Sequence, residues 1–468
     1  MEGRNISEKF CLRLKVIMFV AWMCLLPLYR AAIAQEAPAA EPAERERVYA
    51  PASVPFIFME NLFPWYSVKP FKAVPGYYKG SLTYKNYTHF NDTPQDKRRV
   101  RNEYLLKLEY EKSFDRFRFF SIPEFYFDDD GLGQGVIDEP ADDDPKRNIV
   151  NLEELYLDVY FDNFDLRLGK QIFAWGKADE VNPTDNLGAE DLQDLFDDRD
   201  IGVIAARVNY YIGDWQIEAA IVPFFTPTRL PTRDSRFSFV PPATPVPVLD
   251  PLLPDKRLEN MQWGVRLLKT IKSWDLSASY YDGIYHVPVV RFIPGTGIQP
   301  IYEGVRVLGG DFARQFGKLG SRGEVGYFNF DGDADDDFVQ YALGLDYTFS
   351  DVIGDDDIHI LVQYVGEGVT EHGNLVVPGL PTSVGRALSS AITMDLSYEF
   401  SEFLKFALDL IYLTNSNDSF LLKPKLEYEY SDRMILTLQF EIPQGNRNTF
   451  FGRFRDSKRF VLSIKYSF

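Results

Sequence analysis

The sequence predicts an all-β chain: a transmembrane antiparallel β-barrel of the outer membrane, with about 18 strands in a range of roughly 16–18. Three observations lead there. The chain opens on an export signal and then has no apolar run of the length a membrane helix requires. Its body is a series of short segments in which apolar and polar residues alternate with period two. The connections between those segments alternate between short and long. An exported membrane protein without spanning helices must close its strands into a barrel, because only closure satisfies the backbone in lipid.

The N-terminus is the first element. Arg4, Lys9, Arg13 and Lys15 precede the apolar stretch Val16 to Leu28, and Ala32-Ile33-Ala34 is a small-x-small cleavage site. This is a secretory signal over residues 1–34, too short to span. Both cysteines, Cys11 and Cys24, lie inside it, so the exported chain has neither disulfides nor thiolate metal sites. Residues 35–74, rich in Ala, Pro and Glu, are expected to form a periplasmic leader ahead of a barrel over 75–468.

Composition agrees. The whole chain carries a net charge of −19, and loss of the basic signal makes the remainder more acidic. Nucleic-acid partners, which need a basic surface, are excluded. A mean hydropathy of −0.22 looks soluble, but barrels conceal their apolar residues by alternation. Aromatic residues make up 15% of the chain, enough to furnish two interfacial girdles.

Alternating segments fall near 75–88, 100–112, 114–126, 149–161, 163–173, 201–211, 213–222, 259–271 and 273–284. They continue near 301–316, 320–331, 337–349, 357–366, 390–400, 402–413, 419–430, 432–441 and 458–468. Residues 301–331 are glycine-rich and the most weakly patterned. Short connections fall at Lys112-Ser113, Asp162, Ile212-Gly213, Lys272, Ser401 and Ser431. Long ones fall at 127–148, 174–200, 223–258, 285–300, 367–389 and 442–457. Short inner turns and long outer loops are the asymmetry of an outer-membrane barrel. About 18 strands enclose a lumen wide enough for water unless loops fill it.

The last strand has the cleanest pattern. Phe460, Leu462, Ile464, Tyr466 and Phe468 share one face; Val461, Ser463, Lys465 and Ser467 share the other. The segment resembles the C-terminal signal by which Gram-negative outer-membrane barrels are recognised for assembly. The resemblance implies barrel-assembly machinery as a partner, beside outer-membrane lipid and lipopolysaccharide.

The connection after the fifth segment is the most distinctive. It belongs to the run Arg167-Leu-Gly-Lys170-Gln-Ile-Phe-Ala-Trp175-Gly-Lys177-Ala-Asp179-Glu-Val-Asn182-Pro183-Thr-Asp185. A second unusual piece is Ile221-Val-Pro223-Phe-Phe-Thr-Pro227-Thr-Arg229-Leu-Pro231. Together they resemble a family of proteobacterial outer-membrane, porin-like barrels of unknown function, with a distant kinship to alginate-export porins. The resemblance implies a pore or porin-like transporter and supplies no substrate. Tryptophan, glycine and Asn-Pro suit a fixed, turn-rich loop that folds inward. A pure packing role is the alternative. As a constriction, its residues would be Arg167, Lys170, Trp175, Lys177, Asp179 and Asp185, with the two lysines facing the two aspartates across the narrowing.

Three acidic runs lie in predicted outer loops: Asp128–Asp130, Asp142–Asp144, and one holding Asp331, Asp333, Asp335, Asp336 and Asp337. Alternate aspartates can gather oxygens around calcium, so Asp331, Asp333, Asp335 and Asp337 form a candidate cation loop. It lacks the Gly and Glu of a helix-loop-helix calcium site at positions six and twelve, and a solvated acidic loop beside lipopolysaccharide is the alternative. The barrel wall carries mixed charge, with Arg116, Arg118, Arg167, Lys423 and Lys425 set against Asp158, Asp165, Asp395, Glu427 and Glu429. The Pro-rich stretch Val240 to Pro254 is apolar and stiff and covers the barrel mouth or guides hydrophobic solutes. His89, His286, His359 and His372 are the four histidines, and neither a G-x-S-x-G nor an H-E-x-x-H motif accompanies them. No enzymatic activity and no cofactor are expected. The sequence is read as a channel for passive diffusion of small-molecule solutes through a lumen narrowed by loop 174–200. The alternatives are a facilitated transporter of a hydrophobic or polymeric substrate and a structural or adhesive barrel with a plugged lumen.

Overall fold

Alternation along each strand fixes the architecture. The fold is seen in a computed structural model that describes residues 76–468 except 130–144, 198, 241–246, 333–334, 354–355, 374–385 and 417. The expected signal, the leader, Asp130, Asp142–Asp144 and Asp333 lie outside the described residues. The strands in chain order are β1 (Tyr77–His89), β2 (Val100–Phe114), β3 (Phe117–Asp128), β4 (Val150–Tyr160), β5 (Phe164–Gln171), β6 (Ala189–Asp191), β7 (Arg199–Ile201), β8 (Val203–Ile212), β9 (Trp215–Val222), β10 (Gln262–Ile271) and β11 (Trp274–Ile284). They continue as β12 (Val289–Ile293), β13 (Gly297–Ile301), β14 (Gly304–Phe316), β15 (Leu319–Phe330), β16 (Asp337–Ile353), β17 (Asp356–Glu371), β18 (Ser390–Ser401), β19 (Leu404–Leu413), β20 (Phe420–Ser431), β21 (Met434–Gln444) and β22 (Arg459–Ser467).

Eighteen of these form one antiparallel sheet; β6–β7 and β12–β13 are separate hairpins. Each barrel strand pairs with its neighbours in order, and β22 pairs with β1 from Ser467↔Ser81 to Arg459↔His89, which closes the ring. Each of the expected segments overlaps one barrel strand. The short turns lie at their expected positions, as at Asp162 and Lys272-Ser273, or up to three residues beyond, as at Asp115-Arg116. Alternation marks only the apolar belt, and the strands run past it through polar residues to the rim. Arg116 therefore sits exposed in a turn rather than on the inner wall. Lys272 (φ 50°) and Ser273 (φ 67°) are both left-handed, as a two-residue hairpin turn matched to strand twist requires.

The outer face is apolar. Leu155, Leu168, Leu308, Leu343, Leu345 and Leu438 are exposed on it. Tyr78, Phe114, Phe161, Phe316, Phe400 and Tyr430 stand near the rim of short turns, and Phe125, Trp263, Tyr327, Tyr364 and Phe440 near the other rim. An apolar belt between two aromatic girdles is the exterior that lipid demands. Among the described residues no helix is long and apolar enough to cross a membrane. The buried cores lie inside the ring, where long connections meet the inward-facing residues of the wall.

Candidate functional site: a loop folded into the lumen

The connection between β5 and β8, residues 172–202, lies against the inner wall. Its first half packs on apolar wall residues. Phe173, Trp175 and Leu187 are buried with inward-facing Val203, Ala205, Ala220, Val222, Tyr281, Val307 and Phe328. The Trp175 indole N–H donates to Glu218 Oε1 of β9 at 3.0 Å. The ring lies over Gly264 of β10, where an added Cβ would stand 3.0 Å from it. The chain then turns at Gly176, whose φ of +102° few other residues adopt. The backbone N–H groups of Lys177 and Ala178 both donate to the Glu324 carboxylate of β15. Thr184 donates to the same carboxylate through its hydroxyl at 3.0 Å and its N–H at 3.4 Å. Asp179 accepts from Arg322 Nη1 at 2.8 Å, and its N–H donates to Gln363 Oε1 of β17 at 3.1 Å. Pro183 covers Gly326, and Thr184 covers Gly309, at distances that leave no room for a Cβ. The glycines that weaken the pattern of 301–331 thus make space for the loop.

The second half is held by charge. Asp191 of β6 accepts from Arg147 Nε at 2.7 Å and Arg229 Nη1 at 2.6 Å. Asp194 accepts from Arg459 of β22 at 2.7 and 2.8 Å and from Arg101 of β2 at 3.1 Å. Arg459, wholly buried, also pairs with Glu441 and stacks over Tyr87 at 4.5 Å. Asp197 pairs with Lys85 and accepts from Tyr87 Oη at 3.0 Å. Arg199 of β7 donates to Glu103 Oε1 at 2.6 Å. Burial opposes ionisation of Asp191, yet Arg147 and Arg229 outweigh it and lower the carboxyl to about 2. Asp194 and Asp197 are likewise held below the ordinary range by their cationic partners, against the cost of burial. The loop therefore touches β9, β10, β14, β15 and β17 with one half and β1, β2 and β22 with the other.

The sequence-expected residues fall in different places. Arg167 lies on the inner face of β5, bonded twice to Asp158 at 2.6 and 3.1 Å and stacked on Tyr156 at 3.7 Å. Lys170 is buried at the end of β5. Lys177 borders a cavity of about 330 Å³ near the short-turn rim, with Gln216, Thr270, Ser277 and Asp311. Asp179 pairs with Arg322 of the wall. Asp185 is half-buried, its enclosed Oδ1 has no hydrogen-bond partner, and desolvation, reinforced by Asp200 and Glu190, raises its carboxyl well above the ordinary range.

Of the candidate cation loop, Asp331, Asp335 and Asp337 are described. Asp331 pairs with Arg306 at 2.8 Å, and Asp335 and Asp336 with Arg386 at 3.0 and 2.9 Å. Asp337 accepts from Asn329 Nδ2 and the Phe330 N–H. Guanidinium and amide donors thus reach Asp331, Asp335 and Asp337, with Asp335 Oδ2 left without a hydrogen-bond partner. In the last strand, Phe460, Leu462, Ile464 and Tyr466 lie opposite the inward-facing Arg459 and Val461. Phe468 is exposed, and its backbone exchanges hydrogen bonds with Gly80 at 2.8 and 2.9 Å. The described part of the Pro-rich stretch runs beside β13, bridging Val248 to Ile298 and Leu252 to Ile301. His359 Nδ1 lies 3.1 Å from Thr348 Oγ1, and the His286 ring is buried with Nδ1 at 2.7 Å from the Thr226 carbonyl.

The family model described as a protein of unknown function, DUF1302, matches residues 82–343, more than half of the chain. The chain belongs to this family. No curated protein matches it. Solved structures similar to it include a loop deletion mutant of OmpT, an outer membrane protein of Vibrio cholerae, at 10% identity and a TM-score of 0.40; 84% of this chain and 99% of that one are covered. A triple mutant of Rhodopseudomonas blastica porin is similar at 9% identity and a TM-score of 0.41, over 84% of this chain and 100% of that one.

Sequence reasoning missed the wall residues that hold the loop: Glu218, Glu324 and Gln363 on one side, Arg101, Glu103, Glu441 and Arg459 on the other. Each occupies an inward position of its strand, but alternation cannot tell a wall charge facing water from one facing a loop.

Proposed function

We propose that this barrel is a channel in the outer membrane of a Gram-negative bacterium. Small solutes cross it by passive diffusion through a lumen narrowed by residues 172–202. The single observation behind the reading is that loop, tied to wall strands on both sides of the ring. A channel of this kind supplies a wall, a constriction and a charge pattern and does no bond chemistry. Current through single barrels in planar bilayers tests it: discrete conductance steps are expected, and a folded barrel that never conducts would overturn it. Swelling of liposomes in graded sugars, against apolar solutes, separates diffusion from facilitated transport.

One observation favours a plugged barrel as the second reading. Phe196, Phe237, Phe451 and Phe454 from three stretches of connection pack on inward-facing Ala342, Val365, Ala391 and Leu421, which fills part of the lumen with core. The absence of conductance steps would select it. We further propose residues 1–34 as a cleaved signal and 35–74 as a periplasmic leader. Phe460, Leu462, Ile464, Tyr466 and Phe468 are proposed as the segment met by the assembly machinery, with lipid and lipopolysaccharide outside the belt. Deleting Phe468 is expected to lower the amount of folded barrel in the membrane sharply; wild-type amounts would remove that assignment.

A further inference from the structure

The two halves of the inward loop are tied down by unlike means, and one wall residue stands out. Glu324 projects inward from the middle of β15, and its carboxylate takes donors only from the loop: two consecutive backbone N–H groups at Lys177 and Ala178, and the N–H and hydroxyl of Thr184. No cation is bonded to it among the described residues. The loop is shaped to this carboxylate. Gly176 at φ +102° lies so close that a Cβ there would sit 2.3 Å from Glu324 Oε1. Successive main-chain N–H groups converging on an anion form a nest, and here the anion is supplied by the wall.

We infer that Glu324 is the positioning residue for the 176–184 half of the loop, holding it on β15 and so setting the width of the opening. The inference rests on the reading of the loop as a constriction, but its anchor function is testable apart from conduction. The other supports of this half are weaker. The Asp179–Arg322 pair is partly exposed, where screening leaves little net attraction. Gln363 offers neutral hydrogen bonds. Ala178 and Val181 pack against the core that holds Phe196, while the ion pairs of the 189–201 half go to β1, β2 and β22 and give the 176–184 half no charged anchor.

Residues 76–468 contain no cysteine, so with Cys11 and Cys24 changed to serine single cysteines report cleanly. Ala178→Cys and Leu195→Cys place one probe in each half, both now partly buried. Full-length barrels carrying each probe are labelled with a small thiol reagent, with Glu324 intact, as Glu324→Ala and as Glu324→Gln, after heat-modified migration shows each variant folded. Losing charge-assisted hydrogen bonds shifts an attached–detached equilibrium on the order of tenfold. Labelling at position 178 is expected to rise by about that factor in Glu324→Ala and less in Glu324→Gln, with position 195 unchanged. Gly176→Ala, which presses a methyl group against the carboxylate, is expected to reproduce the rise. Unchanged labelling at 178 in Glu324→Ala overturns the inference, and so does an equal rise at both positions, which would make Glu324 a support of the whole barrel. Conductance of a barrel shortened over 175–185 is measured alongside. If shortening leaves conductance unchanged while labelling at 178 responds, the constriction reading fails and the anchor stands. If shortening widens the pore and labelling does not respond, the anchor fails alone.

Discussion

The two halves of the loop inside the barrel differ in what they ask of the wall. Residues 173–185 meet apolar side chains, glycines and the carboxylates of Glu218 and Glu324, and their own half-buried Asp185 has an enclosed, unbonded oxygen. Within residues 189–201, Asp191, Asp194, Asp197 and Arg199 are each matched to an opposite charge. Hydrogen bonds to a single wall group can be made and broken locally. Buried ion pairs are costly to leave half-made, so they fix position strongly even where their net contribution is small. The comparison teaches that the charged half is the fixed end of the loop and the other half its adjustable end.

The largest effect is expected from breaking the fixed end. Arg459→Met leaves Glu441 buried without its guanidinium and Asp194 with Arg101 alone, and should destabilise the folded barrel by about 3–5 kcal/mol. Urea unfolding followed by heat-modified migration would measure it. The triple change with Asp194→Leu and Glu441→Leu should recover much of the loss; a triple variant as unstable as the single one would mean the pairs matter for more than charge balance.

Acid should separate the halves next. Asp191 has its carboxyl lowered from 3.8 to about 2 in the folded protein. Its contribution is complete above the unfolded value and lost as pH falls from about 4 through about 2, on the order of 2 kcal/mol. Asp194 and Asp197 shift the same way. Asp185 shifts upward, so its neighbourhood is favoured in acid and loses stability as pH rises through its folded value. Proteolysis within 189–201 should therefore increase at low pH, and Asp185→Asn should abolish any alkaline loosening near Trp175. The reverse pattern would break the comparison.

A smaller effect is expected at the adjustable end. Trp175→Phe keeps most of the packing and loses the bond to Glu218, a change of about 0.5–1.5 kcal/mol because Arg207 still lies 3.7 Å from the same oxygen. It should be read in the labelling rate at position 178 rather than in global unfolding. The smallest is Asp179→Asn. Its pair with Arg322 is exposed enough that about 0–1 kcal/mol is at stake, and added salt should erase the difference.

The barrel was legible because lipid outside and a different environment inside force alternation on every strand, and β22 shows it most cleanly. The small hairpins β6–β7 and β12–β13 were not legible: three to five residues carry too few periods. The inward loop could be read from Trp175, Gly176 and Asn182-Pro183, which suit a fixed turn-rich segment. Its partners could not. Asp179 and Asp185 look like twins in sequence, yet one meets Arg322 and the other is desolvated, because the fold of the loop separates them by environment. The aspartates around 331–337 look like cation ligands until Arg306 and Arg386, distant in sequence, are brought beside them. Long-range pairing of this kind leaves no local spacing to read.

The central claim is that residues 172–202 narrow the lumen. The most direct measurement is single-channel conductance, in planar bilayers, of a folded barrel in which residues 175–185 are replaced by a short Gly-Ser link. This account predicts conductance steps larger than those of the parent and a relaxed size limit for sugars in liposome swelling. Steps of the parent's size from a correctly folded, heat-modifiable variant would contradict it and leave the loop as packing within a barrel whose opening lies elsewhere.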